Sequence, residues 1–377
     1  MGCSDLPSNI PLTPNSMLPD PFTFLNGTAV TSLSAFTCRQ AEISALLQQF
    51  ELGQLPPRPE SVVGTLSGNT LTINVAHSGR SISFTVGIQK PTGSGTGPFP
   101  ALIVLGGFLS LPQPPGVAIL SFNNDDIAAQ NNAQSRGQGK FFTLYGSNHP
   151  AGALMAWAWG VARIMDALEQ VNSNIDLTRV GVTGCSRNGK GALVAGAFEP
   201  RIALTIPQES GSGGAGCWRI SDAMLASGVS TQTASEIVQE NVWFSPAFNT
   251  FAQSGVNPLP FDHHMLSALI APRPLLVIDN TGIDWLGPES VWGCQKTASL
   301  VWKALGVPDR MGVSQVGNHA HCAFPTQEKP DLDAFVNRFL LGQGGVNTSG
   351  IVKTDGANGL GFVDSRWVGW KVPNLAG

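Results

Sequence analysis

The stretch RVGVTGCSRNGKGALVAGAF, residues 179–198, constrains the fold more than any other part of the chain. Residues 179–184 form a short apolar run of the kind found in a strand buried on both faces. It passes almost without a linker into a small-residue run, 188–198, suited to a helix packed closely on a sheet. Ser186 sits between them, two residues after Gly184. A serine at such a strand-to-helix turn is lifted clear of the sheet, where a helix N-terminus offers free N–H groups and positive potential. The familiar signature is Gly-x-Ser-x-Gly, but here Asn188 occupies the second glycine position and Gly189 follows one step late. The bland alternative is a serine capping the helix. Gly184, Gly189 and Gly191 permit a tight, strained turn and favour a nucleophile.

The rest of the chain supplies a frame for that turn. Residues 36–50 read as an amphipathic helix, and TLTINV and SISFTVGI alternate as strands around the turn-forming 77–80. ALIVLGG (101–107), VAILSF (117–122), RIALTIPQ (201–208) and RPLLVIDN (273–280) are further buried strands, and GVSQV (312–316) is strand-like. Residues 153–170, 292–305 and 332–341 carry helical spacing. Strands alternating with helices predict a mostly parallel sheet covered on both faces. No repeat or low-complexity linker divides the sequence, so a single domain over 1–377 is expected, with 1–97 as its β-rich N-terminal part.

Composition narrows the setting. Charged residues are 12% and net charge is −4 with no basic stripe, which argues against a nucleic-acid partner. No apolar run approaches the ~20 residues needed to cross a bilayer. Six cysteines, an even number, and two sequons, at Asn26 and Asn347, point to a secreted, oxidised protein. The start Met1-Gly2-Cys3 has no signal-peptide pattern, and the sequence reads as a mature form.

A serine needs a base within hydrogen-bond reach. The histidines are His77, His149, His263, His264, His319 and His321. In doubly wound hydrolases the order is serine, acid, then histidine after the last strand, which singles out His319 and His321 in GNHAHC. By the same rule the acid is Asp279 or Asp284, with Glu209, at a strand end among glycines, as the competitor. Cys185 adjoins Ser186 and Cys322 adjoins the histidine loop. If those loops meet, the two thiols meet as well and form a disulfide. A rival reading, zinc held by Cys185, His319, His321 and Cys322, lacks the paired short spacings of structural zinc sites.

GCSRNGKGA, PQESGSGGAGCWR, QTASEI, LPFDHH and HAHCAFP together closely resemble the fungal glucuronoyl esterases, carbohydrate esterase family fifteen. The match covers about residues 100 to 330 and the N-terminal cysteines, and its motif reads Ser-Arg-Asn-Gly, so Asn188 is no departure. The resemblance implies an α/β-hydrolase, a three-layer αβα sandwich with an open active site. It puts the nucleophile on Ser186, the base on His319 rather than His321, the acid on Glu209 and oxyanion stabilisation on Arg187. Lys190, Gln232, Glu240 and Trp285 would contact the sugar, and Cys3–Cys38 and Cys217–Cys294 would complete the disulfides.

The resulting expectation is a monomeric, secreted serine esterase needing no metal or cofactor. It would cleave the ester between 4-O-methyl-glucuronic acid of glucuronoxylan and lignin alcohols. The alternatives are another carbohydrate esterase, such as an acetyl xylan esterase, and a non-catalytic polysaccharide-binding protein. The last sits poorly with a complete serine, histidine and acid set.

Overall fold

The alternation in the N-terminal third folds as an antiparallel meander: β1 (Ser61–Ser67), β2 (Thr70–His77) and β3 (Arg80–Gln89). This is a computed structural model, and it describes residues 3, 6, 7, 9–93 and 95–376. Ser78 and Gly79 both have positive φ, 48° and 73°, the geometry of a two-residue hairpin turn whose twist matches the flanking strands. β1 was not among the strands read from the sequence. Its every residue is exposed or half-buried, so it carries little apolar signal.

The buried apolar runs become β4 (Phe99–Leu105), β5 (Ala118–Phe122), β6 (Ile175–Cys185), β7 (Leu204–Gln208), β8 (Leu275–Asp279) and β9 (Met311–Gln315); a short β10 (Val352–Thr354) closes the edge. All ten strands share one sheet in the order β1-β2-β3-β5-β4-β6-β7-β8-β9-β10. β3 pairs antiparallel with β5, and from β5 to β10 every pairing is parallel.

Alternate residues of these strands feed two separate cores. Ala101, Ile103, Leu105, Val180, Val182 and Val277 join the larger one, with the helices Ala153–Leu168, Arg187–Phe198 and Pro288–Ala304. Leu102, Val104, Leu204, Ile206, Leu276 and Ile278 point the other way, onto Leu332, Phe335 and Val336 of the helix Lys329–Phe339. The result is the expected three-layer α/β-hydrolase fold. Order along the sheet reverses at β4, whose neighbours are β5 and β6. In open α/β sheets ligands bind outside the strand carboxyl ends at such a switch point. Ser186 follows the last residue of β6 at that place.

One packing contact is set by a missing side chain. A Cβ on Gly312 would lie 2.7 Å from the Phe335 ring and 2.8 Å from Leu276. Gly312→Val therefore overpacks the smaller core. The expected loss is about 1–3 kcal/mol, read by urea denaturation; unchanged stability would show that the helix Lys329–Phe339 is free to shift.

Candidate active site

Ser186 has φ 59° and ψ −127°, a conformation costly for any residue with a Cβ. The surroundings enforce it. Ser186 N donates to Gln208 O at 3.0 Å, and Lys190 N donates to Ser186 O at 3.0 Å, starting the helix. A Cβ on Gly184 would sit 2.5 Å from Asn188 O, and one on Gly189 would sit 2.6 Å from Gln208 O. Asn188 is itself fixed, its Oδ1 accepting from the fully buried Asn124 at 3.0 Å. Asn124 Oδ1 in turn accepts from Gly106 N at 2.5 Å, and Gly107 N donates to Val104 O. Those two N–H groups of the loop after β4 are thus spent inside the protein.

Glu209 follows β7 directly, is fully buried, and also has positive φ, 42°. Its Oε2 accepts from His321 Nδ1 at 2.8 Å and from Cys322 N at 3.0 Å. Cys322 (φ 63°) is bonded to Cys185, with the Cα atoms 5.9 Å apart. The bridge therefore holds Ser186 and His321, each one residue away from it, on the same side of the site. His321 and Ser186 line one cavity of about 330 Å³. With Nδ1 donating to Glu209, His321 Nε2 keeps its lone pair, and no described residue bonds to it.

His319 is placed differently, which corrects the expectation drawn from the resemblance. Its Nε2 lies 2.8 Å from Val316 O and donates to it; its Nδ1 accepts from Asn280 Nδ2 at 3.2 Å. Both nitrogens are occupied and the ring does not line the cavity. Its Nδ1 is 3.7 Å from Glu209 Oε1, too long for a hydrogen bond. The fold-order rule for the acid also gives way. Asp279 Oδ2 accepts from Gln315 at 2.8 Å, and Asp284 opens a short turn of 3₁₀ helix; neither meets either histidine of the loop.

The other expected residues gather around the cavity. Arg187 is exposed, its guanidinium 5.5 Å from the ring centre of Trp243. Lys190 is 4% exposed and donates to Ser210 O at 2.5 Å and Ser212 O at 2.7 Å, which leaves one of its three N–H donors for the cavity. Burial, offset only in part by Glu240, lowers its pKa to about 7. Gln232 donates to Glu240 at 3.1 Å, and its backbone N–H bonds Trp285 O. Trp285 stands edge-on to His321, with centroids 4.8 Å apart. Trp243, beneath both Arg187 and Lys190, was not singled out in the sequence. Nothing in NVWFSP distinguishes it from a core tryptophan.

All three expected disulfides form: Cys3–Cys38, Cys185–Cys322 and Cys217–Cys294. Cys185, His321 and Cys322 are close enough together to suggest a metal site, but both sulfurs are consumed by their mutual bond and His321 Nδ1 by Glu209. That donor set does not suit zinc, which is bound by thiolate sulfur. Among the described residues no helix is long and apolar enough to cross a membrane.

Residues 73–306 match the family model for fungal glucuronyl esterases. The chain belongs to that family. It is therefore a glucuronoyl esterase, a carboxylic ester hydrolase. A 4-O-methyl-glucuronoyl methylesterase of Hypocrea jecorina is 58% identical over 375 residues, covering 99% of this chain and 79% of the relative. The catalytic domain of a glucuronoyl esterase from the same organism superposes with a TM-score of 0.93 at 57% identity, covering 98% and 100% of the two chains. A serine-to-alanine mutant of the glucuronoyl esterase from Sporotrichum thermophile, solved with methyl 4-O-methyl-β-D-glucopyranuronate, gives 0.94 at 50% identity, with both chains fully covered.

Two further carboxyls lie buried near the site. Burial, with Glu209 nearby, raises Asp279 to about 8; burial, with Asp279 and Glu209 nearby, raises Glu328 to about 9. In the unfolded chain these groups ionise near pH 4. The folded state binds the extra protons between about pH 4 and these raised values, so their effect is to lower stability as pH rises through that window. Wild type should lose more stability between pH 5 and pH 8, by urea denaturation, than Asp279→Asn or Glu328→Gln. Equal losses would show that neither carboxyl holds its proton.

Proposed function

We propose that this enzyme cleaves the ester joining 4-O-methyl-glucuronic acid of glucuronoxylan to lignin alcohols, through a Ser186–His321–Glu209 triad. The reading rests chiefly on one observation: His321 donates Nδ1–H to a fully buried Glu209 and lines the same cavity as Ser186, while its Nε2 bonds to no described residue. Ser186 Oγ attacks the ester carbonyl as His321 Nε2 takes its proton, and Glu209 stabilises the imidazolium that forms. The C–O bond to the alcohol breaks and His321 returns the proton to the departing oxygen. Water, deprotonated by the same histidine, then cleaves the acyl-enzyme and frees the uronic acid and Ser186.

The tetrahedral intermediate places a negative charge where fixed donors act most strongly. With Gly106 and Gly107 N–H engaged elsewhere, Arg187 and a free N–H of the first helical turn take that role. Lys190, Gln232, Glu240 and Trp285 bind the uronate ring, and Trp243 holds the two cations in place. The complex of the Sporotrichum thermophile enzyme with methyl 4-O-methyl-β-D-glucopyranuronate supports a 4-O-methyl-glucuronate ester as the substrate's sugar half. The disulfides support a secreted protein, and we read the chain as a single catalytic domain acting as a monomer. Asn26 and Asn347, both exposed, are available for glycosylation.

The histidine assignment has a direct test. His321→Ala should lower kcat by about three orders of magnitude or more, as loss of a triad base does; His319→Ala should lower it far less. The reverse ranking would restore the base to His319. The substrate assignment is tested by comparing benzyl glucuronate with acetylated xylan. Preferential cleavage of the glucuronate is expected, while faster deacetylation would make the protein a broader carbohydrate esterase.

A further inference from the structure

We infer that Phe108 is a subsite for an aromatic alcohol, the leaving half of the ester, on the side of Ser186 opposite the sugar cavity. This rests on the hydrolytic reading above. Phe108 is 83% exposed, far more than any other large apolar side chain among the described residues. A lone exposed phenyl is unremarkable by itself, but the segment that carries it is tied to the catalytic turn at both ends. Gly106 N is bonded to Asn124, which also holds Asn188 of the nucleophile helix. Two residues beyond Phe108, Ser110 Oγ donates at 2.6 Å to Gln208, whose carbonyl accepts from Ser186 N. The chain thus runs from the end of β4 past β6 to β7, crossing beside the nucleophile.

Gly106 and Gly107, at φ 81° and 71°, make the turn that presents the ring outward. A Cβ on Gly106 would lie 2.4 Å from Asn188 Nδ2, so this approach is available only to glycine.

The cavity and the segment carrying Phe108 are anchored to opposite faces of the sheet. The cavity is built from Lys190, Trp243 and their neighbours on the side of the larger core. The Phe108 segment continues into Leu109 and Leu111, which pack on the smaller core under the helix Lys329–Phe339. An ester whose sugar occupies the cavity and whose carbonyl meets Ser186 must project its alcohol away from the cavity. The side chain waiting there is a bare phenyl, complementary to an aromatic ring by offset or edge-to-face contact.

The test uses methyl and benzyl glucuronate with wild type, Phe108→Ala and Phe108→Tyr. The benzyl-to-methyl ratio of kcat/KM should fall about three- to tenfold in Phe108→Ala, the worth of one aromatic contact, and should be kept in Phe108→Tyr. An unchanged ratio in Phe108→Ala, or an equal loss on both esters with a lowered Tm, would overturn the subsite. If wild type cleaves neither ester, the hydrolytic reading fails instead, and the subsite with it.

Discussion

The site hangs on one carboxylate oxygen. Glu209 Oε2 collects the ring N–H of His321 and the backbone N–H of Cys322, so a single buried carboxyl fixes both the tautomer of that imidazole and the path of the loop carrying it. A carboxylate so deep in the protein is tolerable only because charge-assisted hydrogen bonds replace its water. The bridge from Cys322 to Cys185 carries the constraint on to the strand-to-helix turn at Ser186. Ser186, Glu209 and Cys322 all have positive φ, so each of the three loops that meet here carries backbone strain.

Behind Glu209 the chain places a buried amine, Lys190. Lys190 donates to the carbonyls of Ser210 and Ser212, pulling the segment after Glu209 toward the nucleophile helix while His321 and Cys322 hold it from the other side. A sequence with only 12% charged residues thus spends several of them within one small volume. The rest of the surface relies on neutral polar groups.

What could be read in advance was local or adjacent in sequence. The strand-serine-helix unit was legible because its glycines and apolar pattern lie within twenty residues, and Cys185–Cys322 because each cysteine adjoins a candidate site residue. The choice between His319 and His321 depended on partners far along the chain: Asn280 for one ring, Glu209 for the other. A usable clue was present nonetheless. If Cys322 must reach the residue beside Ser186, the histidine adjoining Cys322 is better placed than one three positions away. Asp279 satisfied the usual order of the fold, yet its bond to Gln315 on the neighbouring strand turns it away from the histidines. Trp243 was illegible because a tryptophan that supports two cations and one that fills a core look alike in sequence.

The edge-on contact between Trp285 and His321 gives the enzyme an optical readout of its own chemistry. An imidazolium quenches indole emission more strongly than a neutral imidazole does, so the light from Trp285 follows the charge on that ring. Trp285 is also 41% exposed, so any molecule laid against it would displace water from the indole and move its emission toward the blue. The charge on His321 and the wetness of the indole face are therefore written into the brightness and the colour of one of the nine tryptophans.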